Sequence, residues 1–382
     1  MPAVDTHAVI LGGGLSGLAL GNALWARNIR AIIVEPREQY AADRTWSFWH
    51  QGRPPFDDAI QGQWQCWSVG VGERQIIRHG DRYRYTTLDS ARVYQNLTTP
   101  LLDLPGVVDL KLGHTAHGMP SFDPGSQTWV TETSDGQIRS QVVFDSRPGR
   151  SNALPYGQHF LGCEVRTDRR CFDHVTVQLM QFRKTAEPGA IDFLYLLPFA
   201  PDHALIEVTR FSASQPDQAE MERWLIDELA LITDGSMVTE YRREQGFIPM
   251  VAGYRTDGAR DPGYCKIGLS GGGARASTGY AFLRILDQAQ QLATQVAAGQ
   301  QAPRAKLDGF FTSWMDRVFL GVLEAMPDRA PAMFNELFEH VPQDRLERFL
   351  SGPQRMTDRY AVMRALPMQP FLQQALGLRL QS

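Results

Sequence analysis

The chain is poor in cysteine and in metal-binding motifs, and these shortages exclude several classes of protein. Only four cysteines occur among the 382 residues, and no pair of them has the C-x-x-C spacing of zinc sites or redox dithiols. Four unpaired thiols are typical of a protein kept in a reducing cytoplasm. The nine histidines form no H-E-x-x-H motif, and we therefore expect no metal site.

Long apolar runs and an excess of one charge are also absent. No window approaches the roughly 20 apolar residues of a membrane span, and the first residues lack the basic region of a secretory signal. We therefore expect a cytoplasmic protein. The net charge is only −4, from 38 basic and 42 acidic residues, which argues against a nucleic-acid partner. The 43% of hydrophobic residues are enough for one large core or two modest ones.

The first 35 residues carry the strongest positive signal. Residues 8–11 predict a short buried strand, residues 18–24 have near-helical apolar spacing, and residues 31–34 predict a second strand. A strand, a G-x-G-x-x-G motif, a helix and a second strand together are typical of a dinucleotide-binding unit. The glycines of this motif are Gly12, Gly14 and Gly17.

Each residue of this unit has a physical role in holding a pyrophosphate. Gly12 permits a tight turn, Gly14 lets backbone N–H groups approach the phosphates, and Gly17 lets helix and sheet pack closely. Glu35 ends the second strand, 18 residues after Gly17, where its carboxylate would bind the ribose hydroxyls. The motif alone admits either NAD or FAD.

A second glycine-rich junction favours FAD over NAD. A strand-like run at 266–269 leads into Gly271 and Gly272, whose backbone amides would point at the flavin phosphate and the ribityl chain. We expect a long helix to follow directly, capped by Ser277 or Thr278. The position of the first motif at the start of the chain is also typical of large flavoproteins.

The rest of the chain alternates strand-like and helical segments without a repeat or a linker. We predict an α/β fold in which a Rossmann-type FAD-binding domain is interwoven with a β-sheet substrate domain and followed by a C-terminal helical region. Strands are predicted at 107–112, 128–133, 141–144, 175–179, 191–197 and 204–211, with a turn at 198–203. The FAD-binding domain is assigned to residues 1–55, 90–155 and 245–300, the substrate sheet to 56–89 and 156–244, and the helical region to 301–382.

Nine short motifs occur in the same order as in one known family and span nearly the whole chain. T-W-S-F-x-H matches residues 45–50, F-x-Y-x-L-P matches 193–198, and L-I-E-[DE]-T matches 205–209. By these motifs the chain resembles the bacterial flavoprotein lycopene β-cyclases. The remaining motifs of the series match residues 143–147, 243–249, 277–280, 309–311, 357–359 and 366–367.

The resemblance implies an enzyme that cyclises the linear ends of lycopene to β-ionone rings, giving γ-carotene or β-carotene without net redox change. It implies that FAD acts in its reduced form, with NADPH as the reductant. It also adds Arg44, Asp145, Thr278 and Gly279 to the expected FAD-binding residues.

Glu207 is the predicted proton donor of this reaction. On an alternating strand it shares a face with Leu205 and Phe211, and burial there would raise its pKa so that it keeps a proton near neutral pH. Val208 stands where the family usually has a second acid, which we expect to remove a negative charge near Glu207. The structural alternative is an exposed glutamate on a half-wet sheet.

Because lycopene dissolves in membranes, the resemblance also implies a peripheral contact with the inner face of the cytoplasmic membrane. An apolar stripe at 310–320 is a candidate for this contact, although a helix packed in the core has the same pattern. Two other functions stay open: a flavin-dependent monooxygenase or reductase acting on another terpenoid, and a non-catalytic carrier. Candidates for cation–π stabilisation of the reacting carbon are Trp46, Phe48, Trp49, Phe193 and Tyr195.

Overall fold

The computed structural model describes residues 4–104, 106–149, 154–185, 187–256, 262–352 and 354–378. Within these residues the strands form two seven-stranded sheets and one three-stranded sheet. The strands are β1 (Thr6–Leu11), β2 (Ala31–Glu35), β3 (Thr45–His50), β4 (Ile60–Trp64), β5 (Cys66–Val71), β6 (Arg74–His79), β7 (Arg84–Asp89), β8 (Val108–Leu112), β9 (Ala116–Asp123), β10 (Thr128–Thr133), β11 (Gly136–Asp145), β12 (Gly157–Thr167), β13 (Thr176–Arg183), β14 (Ile191–Ala200), β15 (His203–Ser212), β16 (Val238–Pro249) and β17 (Tyr264–Lys266). The helices are α1 (Leu15–Trp25), α2 (Ser90–Asp103), α3 (Gln218–Thr233), α4 (Phe282–Ala297), α5 (Phe310–Ala325), α6 (Ala330–His340), α7 (Gln343–Ser351), α8 (Met356–Ala365) and α9 (Met368–Ala375).

The first sheet contains the predicted dinucleotide-binding unit. Its strand order is β8-β2-β1-β11-β10-β9, and β17 also pairs with β11. β1 pairs in parallel with both β2 and β11. Ile10 and Ile33 lie in one apolar core with α1 and α4, whereas Leu11 and Val34 pack on the opposite face. Both faces are covered, which explains why β1 and β2 are short continuous apolar runs. The predicted strand, glycine motif, helix and strand are confirmed.

The second sheet has the order β16-β12-β15-β14-β13-β5-β6 and is antiparallel except where β5 pairs with β13. Alternate residues of β15 belong to different cores, as strand geometry requires. Ile206 and Val208 pack against Leu225 of α3, whereas Leu205 and Phe211 lie in a core shared with α5 to α8. The predicted α/β architecture with a helical C-terminal region is therefore confirmed, while the domain boundaries stay a prediction.

The structure differs from the sequence-based expectation in several places, and the strands β9, β12 and β16 are among the elements that were not predicted. Residues 52–90, whose sequence shows no clear periodicity, contain β4 to β7. β14 continues through Pro198 to Ala200, so the predicted turn at 198–203 is shorter than expected. The helix expected to begin at Ser277 or Thr278 begins at Phe282 without a side-chain cap, so that prediction was wrong. Among the described residues, none of the helices combines the length and the apolar character that crossing a bilayer requires.

Candidate active site

A large cavity lies where the glycine-rich start of α1, the second sheet and the C-terminal helices meet. Its volume is 2120 Å³. Gly14 and Arg44 line it beside the first sheet, Glu207 and Phe193 line it on the second sheet, and Phe371 lines it on α9. One space therefore joins the predicted nucleotide-binding loop to the predicted proton donor.

The glycine motif forms a tight cradle at one end of the cavity. Gly12 has a left-handed backbone conformation with φ of +94°, and a Cβ atom there would collide with the side chain of Ser146. A Cβ atom on Gly17 would collide with the carbonyl oxygen of Gly12. Gly14 precedes α1 without a side-chain cap, which leaves the first backbone N–H groups of the helix free to bind an anion.

Glu35 stabilises this cradle from the end of β2. Its Oε2 accepts a hydrogen bond from the backbone N–H of Gly13 at 2.5 Å, and its Oε1 accepts one from Nε of Arg37 at 2.8 Å. The Glu35 side chain is buried and does not itself line the cavity, whereas Arg37 does. Arg37 and Arg44 both line the cavity, and a guanidinium group is suited to binding a phosphate. The charge of Arg37 is already paired with Glu35 at 2.8 Å and with Asp43 at 3.1 Å.

Asp145 lies at the end of β11 and lines the cavity beside the cradle. Burial on its own raises the pKa of the Asp145 carboxyl. Hydrogen bonds from Arg147 and Tyr264 and the charge of Lys266 outweigh burial and hold that pKa below its usual value. The Arg147 guanidinium donates to Asp145 at 2.9 Å, and the Tyr264 hydroxyl donates at 2.6 Å. The carboxylate therefore stays ionised and anchors the turn after β11.

The second glycine junction forms a short turn at Gly268–Gly271 and not the start of a helix. The backbone N–H groups of Gly271 and Gly272 donate to carbonyl oxygens of the same turn, each at 3.2 Å. The contact of these two amides with a flavin stays a prediction. Thr278 and Gly279 do line the cavity, and the positive φ of Gly279, +72°, brings its backbone against the side chain of Gln158.

Glu207 is buried in the second sheet with 6% of its surface exposed. Burial is the main cause that raises the pKa of its carboxyl well above the usual value, and the negative charge and hydrogen bond of Glu244 raise it further. Arg242 acts in the opposite direction but does not outweigh these effects. Glu207 therefore retains its proton, as the sequence-based hypothesis required.

Glu244 is the important side chain that the sequence analysis did not single out. It is 5% exposed, lines the cavity, and accepts hydrogen bonds from Thr45 Oγ1 at 2.5 Å and from Arg242 Nη1 at 2.9 Å. Val208 points into the core under α3, away from this site. The expectation that Val208 removes a negative charge beside Glu207 was therefore wrong, because that charge comes from a different strand. The position of Glu244 within the motif at 243–249 was the available signal.

Tyrosine hydroxyls border Glu207 on the other side. The hydroxyl oxygens of Tyr85 and Tyr195 are 2.8 Å apart, and Tyr280 lies within hydrogen-bonding reach of Tyr85. Burial raises the pKa of Tyr85 to about 12 and raises those of Tyr195 and Tyr280 well above the usual value. All three phenols are therefore neutral and present polar but uncharged groups to the cavity.

Many of the other side chains in the cavity wall are apolar. Of the five aromatic candidates, Trp46, Trp49, Phe193 and Tyr195 line the cavity, whereas Phe48 stacks on Phe282 in the first core. The stripe at 310–320 faces mainly inward: Met315, Val318 and Phe319 line the cavity, Leu320 is buried, and Phe310 is 85% exposed. The core interpretation of that stripe is thus closer to the structure than the membrane-facing one.

Helices α8 and α9 carry exposed apolar side chains that also line the cavity. Four side chains of α8 and α9 both line the cavity and are exposed, and we call them the apolar rim. Their exposed fractions are 61% for Tyr360, 41% for Met363, 72% for Met368 and 55% for Leu372.

Comparison with solved structures relates the fold of nearly the whole chain to known proteins. A geranylgeranyl bacteriochlorophyll reductase-like protein from Thermoplasma acidophilum superposes with a TM-score of 0.61 at 11% identity, over 94% of this chain and 95% of that chain. A flavoprotein/dehydrogenase from Cytophaga hutchinsonii gives a TM-score of 0.62 at 11% identity, over 97% and 99%. These likenesses establish a shared Rossmann-type fold.

Comparison with known sequences gives the family. "Lycopene beta-cyclase" of Paracoccus sp. (strain N81106 / MBIC 01143) is 28% identical over 409 residues, covering 96% of this chain and 95% of that protein. "Lycopene beta-cyclase" of Pantoea ananas is 23% identical over 388 residues, covering 95% of each. The family model described as "Lycopene cyclase protein" matches residues 7–376. With a match over nearly its whole length, the chain belongs to the lycopene cyclase family.

Proposed function

We propose that this protein cyclises the linear ends of lycopene to β-ionone rings by proton-initiated carbocation chemistry, without net redox change. The observation that carries the proposal is a buried, protonated Glu207 in the same apolar cavity as an anion-binding glycine cradle. The relatives named lycopene beta-cyclase support the choice of substrate.

The residues at the cradle fit FAD. Gly14 and the open N-terminus of α1 would bind the pyrophosphate, and Arg37 and Arg44 would balance its charge. Glu35 would contribute to ribose binding through its Oε2, which accepts from Gly13 N–H, since its Oε1 already accepts from both the backbone N–H and Nε of Arg37. Because its side chain does not line the cavity, this contact requires the carboxylate to turn towards the ribose. When bound, FAD reduced by NADPH would supply a negative charge that stabilises a cation nearby.

The remaining steps fall to the residues of the chain. Glu207 would give its proton to the terminal carbon–carbon double bond, where a new C–H bond forms and leaves a tertiary cation. The next double bond attacks this cation and closes the ring, and loss of a proton from the ring carbon restores a double bond. Trp49 and Phe193 would face the positive charge with their electron-rich rings. Apolar side chains on the same face as Glu207, such as Phe193 and Phe211, would exclude water, which would otherwise capture the cation as an alcohol.

The apolar rim supports a peripheral contact with the inner face of the cytoplasmic membrane. Met368 and Leu372 are exposed at the cavity, so lycopene could pass from the bilayer into the cavity without crossing water. We propose that α8 and α9 form this contact.

Expression in a host that accumulates lycopene tests the function. We expect β-ionone rings in the extracted pigment, and we expect Glu207→Gln to lower turnover by at least about 100-fold while the purified variant retains flavin. Glu228→Gln is the matched control, because Glu228 is equally buried but binds Arg183 and Trp224 on the α3 side of the sheet. It should retain cyclisation.

Three outcomes would contradict the proposal. Unchanged pigment with a flavin-loaded protein would argue for a carrier. Consumption of NAD(P)H in proportion to product would argue for a monooxygenase or reductase, since a cyclase regenerates its cofactor unchanged. Full activity with oxidised FAD under strict anaerobic conditions, without a reductant, would exclude the proposed role of the reduced form.

A further inference from the structure

Glu207 and Glu244 oppose the same residue from its two sides. β12 lies between β15 and β16, and Gly162 of β12 pairs with Glu207 on one side and with Glu244 on the other. Directly opposed residues of neighbouring strands point to the same face of a sheet. Both carboxyl groups therefore project into the cavity from one transverse row.

Gly162 makes the approach of the two carboxyl groups possible. Strands that flank a common neighbour lie about 10 Å apart, so two glutamate side chains can meet only above the strand between them. A Cβ atom on Gly162 would collide with Cγ of Glu207, which shows that the Glu207 side chain leans over the glycine. Glu207 and Glu244 are consequently within hydrogen-bonding reach of each other.

The two carboxyl groups have different partners. Glu244 accepts hydrogen bonds at both oxygens, from Thr45 and from Arg242. Arg242 is itself held at 3.1 Å by Glu164, whose other oxygen is 2.7 Å from Nε2 of His203. One oxygen of Glu244 thus accepts from a hydroxyl and the other from a charged guanidinium. Glu207 has Glu244 as its hydrogen-bonding partner, and such a bond between two carboxyl groups requires one proton.

We propose that Glu207 and Glu244 share a single proton across Gly162, and that Glu244 is the positioning residue that keeps this proton on Glu207. This proposal deepens the function proposed above and rests on it. Proton transfer to the substrate leaves two carboxylates facing one Arg242, an arrangement that attracts the cation and favours return of a proton. One proton leaves and one returns, so the pair is restored after each ring closure.

The other titratable groups around Glu207 do not explain its protonation. Burial keeps the thiol of Cys163 neutral, with its pKa raised to about 12, and the phenols around the site are neutral for the same reason. The charged groups that act on Glu207 are thus Glu244 and Arg242, with Glu164 acting through Arg242. Among the described residues, the groups on the face of Glu207 are Tyr85 of β7, Tyr195 of β14, Glu164 of β12, Arg242 and Glu244 of β16, and Tyr280 before α4, whereas Cys163 of β12 packs on the opposite face under α3.

Two substitutions of Glu244 distinguish the effect of its charge from the effect of its size. Glu244→Gln keeps the size of the side chain but removes its charge, whereas Glu244→Asp keeps the charge but shortens the side chain. We expect Glu244→Gln to move the alkaline limb of the pH–rate profile to lower pH by about one unit or more, because the pKa of Glu207 falls without the neighbouring charge. Glu244→Asp should resemble the wild-type profile more closely than Glu244→Gln does.

A second measurement does not depend on turnover. Infrared spectra of the flavin-loaded protein with 13C-labelled glutamate should contain a band of a protonated carboxyl group that Glu207→Gln abolishes. Its titration should shift to lower pH in Glu244→Gln. If Glu244→Gln cannot be purified as a folded protein, the spectrum of Glu244→Asp is compared with that of the wild type instead. Loss of the band of the protonated carboxyl group in Glu244→Asp would then overturn the proposal.

The outcomes distinguish the shared proton from the function itself. An unchanged titration of the band and an unchanged alkaline limb in Glu244→Gln would overturn the shared proton even if β-ionone rings form. A band that behaves as expected in a protein that leaves lycopene unchanged would support the carboxyl pair and reject the proposed reaction.

Discussion

Tyr195 lies directly opposite Glu207 on the neighbouring strand, so the carboxyl group is bordered by a phenol on one side and by Glu244 beyond Gly162 on the other. The row across four strands therefore contains one neutral hydroxyl and two carboxyl groups. A hydrogen bond to the hydroxyl of Tyr85, on β7, holds the Tyr195 hydroxyl in place. The sheet thus sets the spacing of the polar groups by strand register and not by a flexible loop.

Gly162→Ala tests this spacing. The added methyl group would displace Glu207, and we expect turnover to fall by about 100-fold, because a shift of about 1 Å in a reacting group has an effect of that size. Product formation by the reduced, flavin-loaded variant is the measurement. Gly70→Ala is the control, since Gly70 of β5 is equally crowded but lies outside the cavity lining. Equal activity losses in both variants would mean that the effect comes from a distorted sheet.

Phe193→Leu and Phe48→Leu test the contribution of the aromatic wall. Both phenylalanines are buried, at 4% and 3% exposure, but only Phe193 of the pair lines the cavity. Loss of a cation–π contact of about 0.5–2 kcal/mol should slow turnover about 2- to 30-fold in Phe193→Leu. Phe48→Leu should lower the free energy of unfolding by a similar amount to Phe193→Leu and leave turnover nearly unchanged. Turnover measured beside urea unfolding distinguishes the two effects, and equal turnover losses would refute the assignment.

His159 should make the stability of the protein depend on pH. Burial, aided by the charge of Arg210, lowers the pKa of His159 from 6.5 to about 4. Below pH 6.5 the unfolded chain binds a proton at this histidine while the folded protein does not, which favours unfolding. The free energy of unfolding is therefore highest above pH 6.5 and decreases as the pH falls towards about 4. His159→Phe should flatten this part of the unfolding profile while preserving the ring contact with Phe247. A profile with unchanged slope between these pH values would show that His159 does not titrate as described.

Met368→Glu tests the contact of the apolar rim with lipid. Loss of one inserted apolar side chain should weaken binding to anionic and neutral lipid vesicles by about 10-fold, as measured by co-sedimentation. Leu231→Glu is the control, because Leu231 on α3 has the same exposed fraction of 72% but does not line the cavity. Equal loss of binding in both variants, or none in Met368→Glu, would mean that the membrane contact lies elsewhere.

The sequence predicted the parts of the fold whose burial pattern is local. β1, α1 and β2 are recognisable because their apolar residues follow the period of a strand or helix over several residues. β4 and β6 were missed because they carry mostly polar, partly exposed side chains, as in the run Arg74–His79. α4 begins later than predicted because Gly279 has a left-handed backbone conformation with φ of +72°, which a helix starting at Ser277 or Thr278 does not allow. The Ser277 hydroxyl donates instead to Asp316 of α5, 39 residues away.

The candidate site was predictable only where one strand suffices. Strand alternation placed Glu207 on the cavity face with Phe211, as the structure confirms. The association of Glu207 with Glu244 depends on the register of β15 and β16 against β12, which the sequence does not specify. The expectation about Val208 failed for a different reason. Neighbouring residues of a strand face opposite sides, and Val208 packs under α3 while Glu207 lines the cavity.

The pairing of β5 with β13 has a consequence for engineered chimeras. Residues 157–249 supply five strands of the second sheet, but β5 and β6 come from residues 66–79 and complete its edge. In a chimera of two relatives that exchanges only residues 157–249, β5 and β6 would come from one parent and β13 from the other. These strands would then have to pair across the two parent sequences. Transplanting carotenoid specificity therefore requires both segments to be moved together.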